Sequence, residues 1–376
     1  MHQGSTSQEV WNISESEFPK DSSTYNKLKF FLRYTILAPS IHNTQPWSFR
    51  IQNNNTIELY ADRKRALPVL DPMGRELTIS CGIVLGYLQI TISHFGCQYE
   101  TELPSSYVME KSDNQPLAKI SIYDENGSNN TCVNLLQKED NDRLFGAIPK
   151  RRTSRFGFRF EDRAIPDILR AGFYYIVDKY PHCQQQQRNE QQEPIWLHIT
   201  EAINEKDTLA DLVAYGDDLL LSNKHYENRL TQWACPNKRR INGNSKLRYR
   251  FGIANLISKI NSQTTKSILF NKKREEKVRE ITATSPILVI LGSPLDRPLD
   301  WISTGMALTN ILLLASSENV CCSFLNQPIH VPQLRLKLLD AIGKEKGFPQ
   351  ILLGIGYSRH DTRPSPKRDV EEILVT

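Results

Sequence analysis

The chain has 376 residues, 39% of them apolar and 24% charged, with a formal charge of +5. That length can bury a sizeable core in two domains or one large one, and the composition is that of an ordinary soluble globular protein. The charge is mild, and the basic clusters at 63–65, 150–152, 238–240 and 272–274 are scattered without interleaved aromatics, which argues against a nucleic-acid partner.

The seven cysteines (Cys81, Cys97, Cys132, Cys183, Cys235, Cys321, Cys322) form no CxxC pair and are odd in number. They argue against a disulfide framework or a zinc site and fit a reducing cytoplasm. The polar N-terminus lacks a charged-then-apolar signal pattern. The most apolar run, 79–95, is interrupted by Ser, Gly, Gln and His, so no membrane span is expected.

In chain order, an apolar helix is expected over 28–37, stopped where Pro39 disfavours helix at Ala38. A dense polar stretch follows, Ser40-Ile41-His42-Asn43-Thr44-Gln45, and then the alternating strand 47–51. With 57–61 and the turn-rich Gln52–Asn55 it makes a hairpin. Asp71-Pro72-Met73-Gly74 is a turn. A long, nearly all-apolar helix runs over 76–95 and stops at Gly96, and strands follow at 97–103 and 117–123. In the second part, helices are expected from 167, over 206–221, 300–317 and 331–342, and strands at 195–199, 286–291, 320–325 and 351–355. Residues 183–193 are Gln-rich loop. The aperiodic stretch 232–250 reads as a surface excursion or lid, and 359–368 as an extended Pro- and Arg-rich tail.

The two longest helices carry a repeat. Ile79-Ser80-Cys81-Gly82-Ile83-Val84-Leu85 and Ile302-Ser303-Thr304-Gly305-Met306-Ala307-Leu308 share I-S-x-G-x-x-L, each preceded by a strand and turn and followed by a strand. The expectation is two similar α+β halves fused in one chain, 1–145 and 146–376, with ligand sites at their interface.

Three segments carry candidate chemistry. The loop at Ser40, His42, Asn43 and Gln45 is either a ligand site or a turn satisfying its own backbone. Arg151-Arg152-Thr153-Ser154-Arg155 offers three guanidiniums and two hydroxyls to a phosphate, against the alternative of a solvated basic loop. Arg363, Lys367 and Arg368 in the tail could cap the same phosphate. Ser323-Phe324-Leu325-Asn326-Gln327-Pro328 ends an apolar run with amides suited to a planar heterocycle, or simply forms a turn. No nucleophile elbow, P-loop, zinc-protease or dinucleotide motif is present, and no metal ligands group together. Asp211, Asp217, Asp218 and Glu227 read as a solvated helix face. A protein equipped for a phosphate and a flat ring, without acid–base motifs, points to a cofactor that carries the chemistry.

In that combination the motifs resemble the nitroreductase-like flavoproteins, in the internally duplicated Acg-type form. Ala38–Phe49 is similar to the family's A-P-S-x-H-N-x-Q-P-W-x-F signature, and Arg151–Arg155 to its R-R-S/T-x-R segment. Asp71–Leu77, Asp300-Trp301, Leu325–Ile329 and Gly354–Tyr357 also match, so the likeness spans about 27–375. It implies an α+β fold, a mixed sheet covered by helices, as a pseudo-dimer in one chain that is monomeric or a homodimer. It implies FMN as cofactor and NADH or NADPH as donor. Arg151, Arg152, Thr153 and Arg155 would hold the phosphate end, closed by Lys367 and Arg368. Ser40, His42, Asn43 and Gln45 would face the flavin from the first half, and Ser323, Leu325, Asn326 and Gln327 would lie near the ring. No side chain need be catalytic. The implied function is NAD(P)H-driven ping-pong reduction of a nitroaromatic or quinone type of acceptor. The alternatives are a flavin-sequestering protein with little turnover and a biosynthetic flavin oxidase. Only one half has the R-R-T segment and only the other has the N-x-Q-P-W loop, so one complete site is expected per chain.

Overall fold

The computed structural model describes residues 9–104, 115–123, 137–154, 160–179, 194–222, 276–358 and 364–375. Arg155, Arg363, the Gln-rich loop and the proposed lid at 232–250 lie outside the described residues.

The first half begins with α1 (Thr24–Thr35), capped by Ser23, whose side chain accepts the Asn26 backbone N–H. Leu28, Phe31, Leu32 and Thr35 recur at helical spacing and are buried, and the chain leaves the helix just before Pro39. β1 (Trp47–Gln52) and β2 (Thr56–Ala61) pair antiparallel across a turn in which Asn53 and Asn54 take positive φ, 49° and 60°. α2 (Arg75–His94), β3 (Gln98–Glu102) and β4 (Ala118–Tyr123) complete an antiparallel sheet of order β1-β2-β4-β3.

α3 (Lys138–Ala147) connects the halves. The sequence reading missed it because its first turns are almost wholly charged or amide, and only Asn141, Leu144, Phe145 and Ala147 turn inward. The boundary drawn at 145/146 therefore falls inside a helix. The second half contains β5 (Thr153–Ser154), α4 (Asp167–Lys179), β6 (Trp196–Thr200) and α5 (Ile203–Ser222). An unanticipated helical segment at 276–284 precedes β7 (Ile287–Ser293) and α6 (Pro298–Ser317). β8 (Val320–Phe324), α7 (Pro332–Ala341), β9 (Phe348–Tyr357) and the short α8 (Val370–Ile373) finish it. The sheet order is β5-β8-β9-β7-β6, mixed because β5 runs parallel to β8 while the other pairs are antiparallel.

The duplication is visible in this topology. Taken in chain order, β1, β2, β3 and β4 correspond to β6, β7, β8 and β9, and both sets are arranged first-second-fourth-third. In each half a long helix, α2 or α6, joins the second strand to the third. These two helices are long and apolar enough to cross a membrane, but they are almost wholly buried inside the fold, where they pack on each other. The tail crosses back to the first half. Leu374 bridges Phe49 in parallel, and the Val375 N–H donates to the Phe49 carbonyl at 2.8 Å.

Candidate functional site

Between Pro39 and β1 the chain must turn within seven residues. It does so through a 3-10 turn, Ile41–Asn43, with His42, Asn43 and Gln45 at φ 47°, 57° and 50°. Left-handed backbone costs a non-glycine residue about 1–2 kcal/mol, so three in four positions persist only if the surroundings hold them. They do. The Ser40 hydroxyl accepts the Gln45 N–H at 2.8 Å, Ser80 of α2 accepts the Ile41 N–H at 3.3 Å, and Arg65 donates to the Thr44 carbonyl.

The tail grips the same loop from more than 320 residues away. Lys367 Nζ donates to the Ala38 carbonyl at 2.6 Å and to Asn43 Oδ1 at 3.4 Å, while Asn43 Nδ2 donates to the Pro366 carbonyl at 2.9 Å. The Arg368 N–H donates to Gln45 Oε1 at 2.8 Å, and its guanidinium donates to the carbonyls of Gln45, Trp47 and Glu372. The amides of Asn43 and Gln45 are thus engaged in latching the tail.

Arg151 and Arg152 form the electrostatic centre. Arg151 is 4% exposed. Its Nη1 donates to Thr153 Oγ1 at 2.8 Å, and its Nε is buried without a partner among the described residues. The buried Tyr87 hydroxyl and the Cys322 thiol lie beside it; burial pushes both their pKa values up, and the guanidinium opposes the shift. The Tyr87 oxygen feels that charge, yet among the described residues it makes no hydrogen bond of good geometry. Arg152 Nη1 donates to the carbonyls of Pro149 and Arg151, and its guanidinium stacks 4.6 Å over Trp11. Burial, then the neighbouring Arg151 charge, lower the Arg152 pKa. Among the described residues neither arginine has a carboxylate within ion-pair distance. Buried charge without counter-charge is expensive, which makes this pair a candidate place for an anion.

Trp11 was not singled out from the sequence, where it is one aromatic in a polar N-terminus. Its Nε1–H donates to the Ser365 carbonyl at 2.8 Å, and Lys367 Nζ lies 5.9 Å from its ring. The indole thereby joins the arginine segment to the tail.

The third segment sits at the end of β8. Thr153 and Ser154 of β5 lie opposite Cys322 and Ser323 of β8, so Ser323 is two register positions from Arg152. The Leu325 side chain belongs to a second core with Leu209, Val213 and Leu352. Asn326 Oδ1 accepts the Leu352 N–H at 2.9 Å, and its Nδ2 donates to Glu76 Oε1 at 3.1 Å. Gln327 Nε2 reaches Asp217 Oδ1 at 3.5 Å, while its own Oε1 is buried without a partner among the described residues. Asp217 is 3% exposed, which corrects its assignment to a solvated face. Asp211 is on the surface and pairs with Arg279 at 2.7 Å.

α2 ties these parts together. Glu76 touches Asn326, Ser80 touches Ile41 and Tyr87 faces Arg151, at positions i, i+4 and i+11 of one helical face. Eleven residues of helix rise about 16 Å. The arrangement suits an elongated ligand, anionic at the Tyr87 end. At the Glu76 end His330 approaches the carboxylate at 3.6 Å. Burial, with the nearby Arg75 charge, depresses the His330 pKa to about 3, so its ring is neutral and this is no ion pair at neutral pH.

No family model matches the chain. Over 354 residues it is 22% identical to "Putative NAD(P)H nitroreductase Rv3131" of Mycobacterium tuberculosis, covering 91% of this chain and 89% of that one. A 61-residue stretch is 44% identical to "Probable NAD(P)H nitroreductase PigM" of a Serratia strain, 16% of this chain and 17% of that one. The crystal structure of the FMN-dependent nitroreductase NfnB from Mycobacterium smegmatis, in complex with NADPH, aligns with 62% of this chain and 96% of its own. The alignment has 15% identity and a TM-score of 0.39.

Proposed function

We infer that this chain, which belongs to the nitroreductase-like family, is an FMN-dependent oxidoreductase that takes electrons from NADH or NADPH and passes them to a small electron-poor acceptor of nitroaromatic or quinone type. The observation that carries this reading is the buried Arg151 guanidinium, with an orphaned Nε and no carboxylate partner among the described residues, beside a second stacked arginine. The donor set fits a phosphomonoester: Arg151, Arg152 and Thr153 from the second half, and Lys367 from the tail. Ser40 and His42 of the strained loop and the strand end Ser323–Gln327 would border the ring.

Bound FMN would supply the two-electron chemistry, accepting hydride in one half-reaction and releasing it in the next. The chain's own residues bind and orient. The loop at 38–45 is held rigid by Ser80 and the tail, so its backbone groups present fixed dipoles. Asn326, pinned by Glu76 and the Leu352 N–H, cannot swing into the site. Tyr87 and Cys322 line the anion end with neutral groups, leaving the arginine charge undiminished.

The test is anaerobic mixing of the flavin-loaded protein with NADH and, separately, NADPH. Loss of the flavin absorbance, and its return on adding a quinone, is the expected result. Bound flavin that neither donor bleaches would overturn the reductase reading in favour of a sequestering role.

A further inference from the structure

Trp11 lies outside every segment expected to hold a cofactor, yet it is the residue in which the anion-binding parts converge. Three independent contacts fix it. Its face stacks under the Arg152 guanidinium at 4.6 Å, Lys367 Nζ lies over the ring 5.9 Å from its centroid, and its N–H is anchored on the Ser365 carbonyl at 2.8 Å. The short N-terminal segment that carries it is fastened at its other end. Phe18 stacks with Phe31 at 5.7 Å and packs against Phe95 at 4.4 Å. Residues 11–18 therefore form a strap from the aromatic core of the first half to the arginines that open the second half and to the tail.

We propose that Trp11 is a specificity-determining wall of the phosphate end of the site, holding the Arg152 and Lys367 cations toward a bound phosphomonoester and shielding that end from water. This rests on the flavin reading above and deepens it: the strap makes the chain favour the phosphorylated flavin over the unphosphorylated one.

The physical reason lies in the chemistry of an indole. A π-face attracts a cation without neutralising it, so it can position two cations that a carboxylate would have cancelled. It is also apolar, and excluding water from one side of the cluster strengthens each remaining charge-assisted bond to an anion. Arg152 has its Nη1 fixed on two backbone carbonyls and its plane fixed by the indole, so little freedom is left to lose on binding. Removing the ring frees the side chain and floods that end of the site. The ring system of the ligand would be bordered by the loop and by β8, and Trp11 would act at the phosphate end.

The experiment measures dissociation constants of the full-length chain for FMN and for riboflavin by flavin fluorescence, in the wild type, Trp11→Ala and Trp11→Phe. The wild type is expected to prefer FMN. Trp11→Ala should weaken FMN by about tenfold, the size of a partly desolvated cation–π contact, with riboflavin affinity unchanged. Trp11→Phe keeps a π-face and should recover most of the preference. A Trp11→Ala protein with the wild-type FMN-to-riboflavin ratio would overturn the role of Trp11 while leaving the flavin reading intact. Equal weakening of both ligands, unrelieved in Trp11→Phe, would mark Trp11 as merely structural. Wild-type protein that binds neither ligand would defeat the flavin reading itself, and this inference with it.

Discussion

Gly82 of α2 and Gly305 of α6 face each other at the crossing of the two central helices. A Cβ on Gly82 would overlap the Ile302 carbonyl oxygen and lie 3.0 Å from Gly305 Cα; one on Gly305 would overlap the Ile79 carbonyl oxygen and lie 2.7 Å from Gly82 Cα. The contact is reciprocal between equivalent residues of the I-S-x-G repeat, as across the two-fold axis of a dimer. One turn on, the symmetry is broken: Gly86 meets Thr309, whose hydroxyl donates to the Ile83 carbonyl at 3.0 Å. The repeat seen in the sequence is thus the seam that joins the halves.

Gly82→Ala tests that seam. In an uncrowded helix alanine would stabilise by up to about 1 kcal/mol over glycine. Here the new methyl meets backbone, which cannot step aside, and overpacking of this kind costs about 1–3 kcal/mol. A net loss of stability is expected on denaturant unfolding, with Gly305→Ala behaving alike. A gain in either variant would show that the helices are not in close contact.

Arg151→Met separates binding from stability. Loss of charge-assisted bonds worth about 1.5–3 kcal/mol should weaken FMN roughly ten- to hundredfold. The ligand-free protein should be no less stable, because a buried cation without a carboxylate partner among the described residues has been replaced by an apolar chain. Calorimetry with and without FMN measures both. Unchanged FMN affinity would remove Arg151 from the phosphate site.

The acid response follows from His330. Its folded pKa, about 3, lies below the value of 6.5 that it has when unfolded. Between those values the unfolded chain binds the extra proton, so stability falls as pH drops below about 6.5. By pH 5 the linkage amounts to about 2 kcal/mol. Asp71 works in the opposite sense, since burial, with the nearby Glu76 charge, raises its pKa, so the comparison must be with His330→Gln in otherwise identical protein. The difference in stability between pH 7 and pH 5 should be smaller in that variant. An equal acid loss in both proteins would place the titrating group elsewhere.

Backbone strain at the loop predicts an asymmetry at His42, with φ 47° and ψ 20°. His42→Val should destabilise by about 1–2 kcal/mol, because a β-branched side chain is poorly accommodated in left-handed backbone. His42→Gly should not. Thermal unfolding of the two variants decides it, and equal losses would mean that the imidazole contacts, not the backbone, matter at this position.

Periodicity and punctuation reveal much of the fold. Apolar spacing exposes α1, α2 and α6, Pro39 marks where α1 must end, and the repeated I-S-x-G announces two alike halves. These features are local, and a chain segment with a buried face displays that face whatever it packs against. The run Arg151–Thr153 and the polar loop after Pro39 were also legible, because clustered guanidiniums and clustered hydrogen-bonding side chains are rare by chance. Partners were not legible. Whether an arginine run is a solvated face or a buried, uncompensated site depends on what covers it, and here that is Tyr87, Cys322 and Trp11, which carry no signature of their own. Asp217 looked like one more surface carboxylate and is buried against Gln327. Asn43 and Gln45 looked ready for a ligand, yet their amides hold Pro366 and Arg368. The polar loop, the arginines and the tail are each written in the sequence. Their assembly around one tryptophan, some 140 residues from the arginines and 354 from the tail serine it bonds, is a product of tertiary packing, because no local pattern records contacts at that separation.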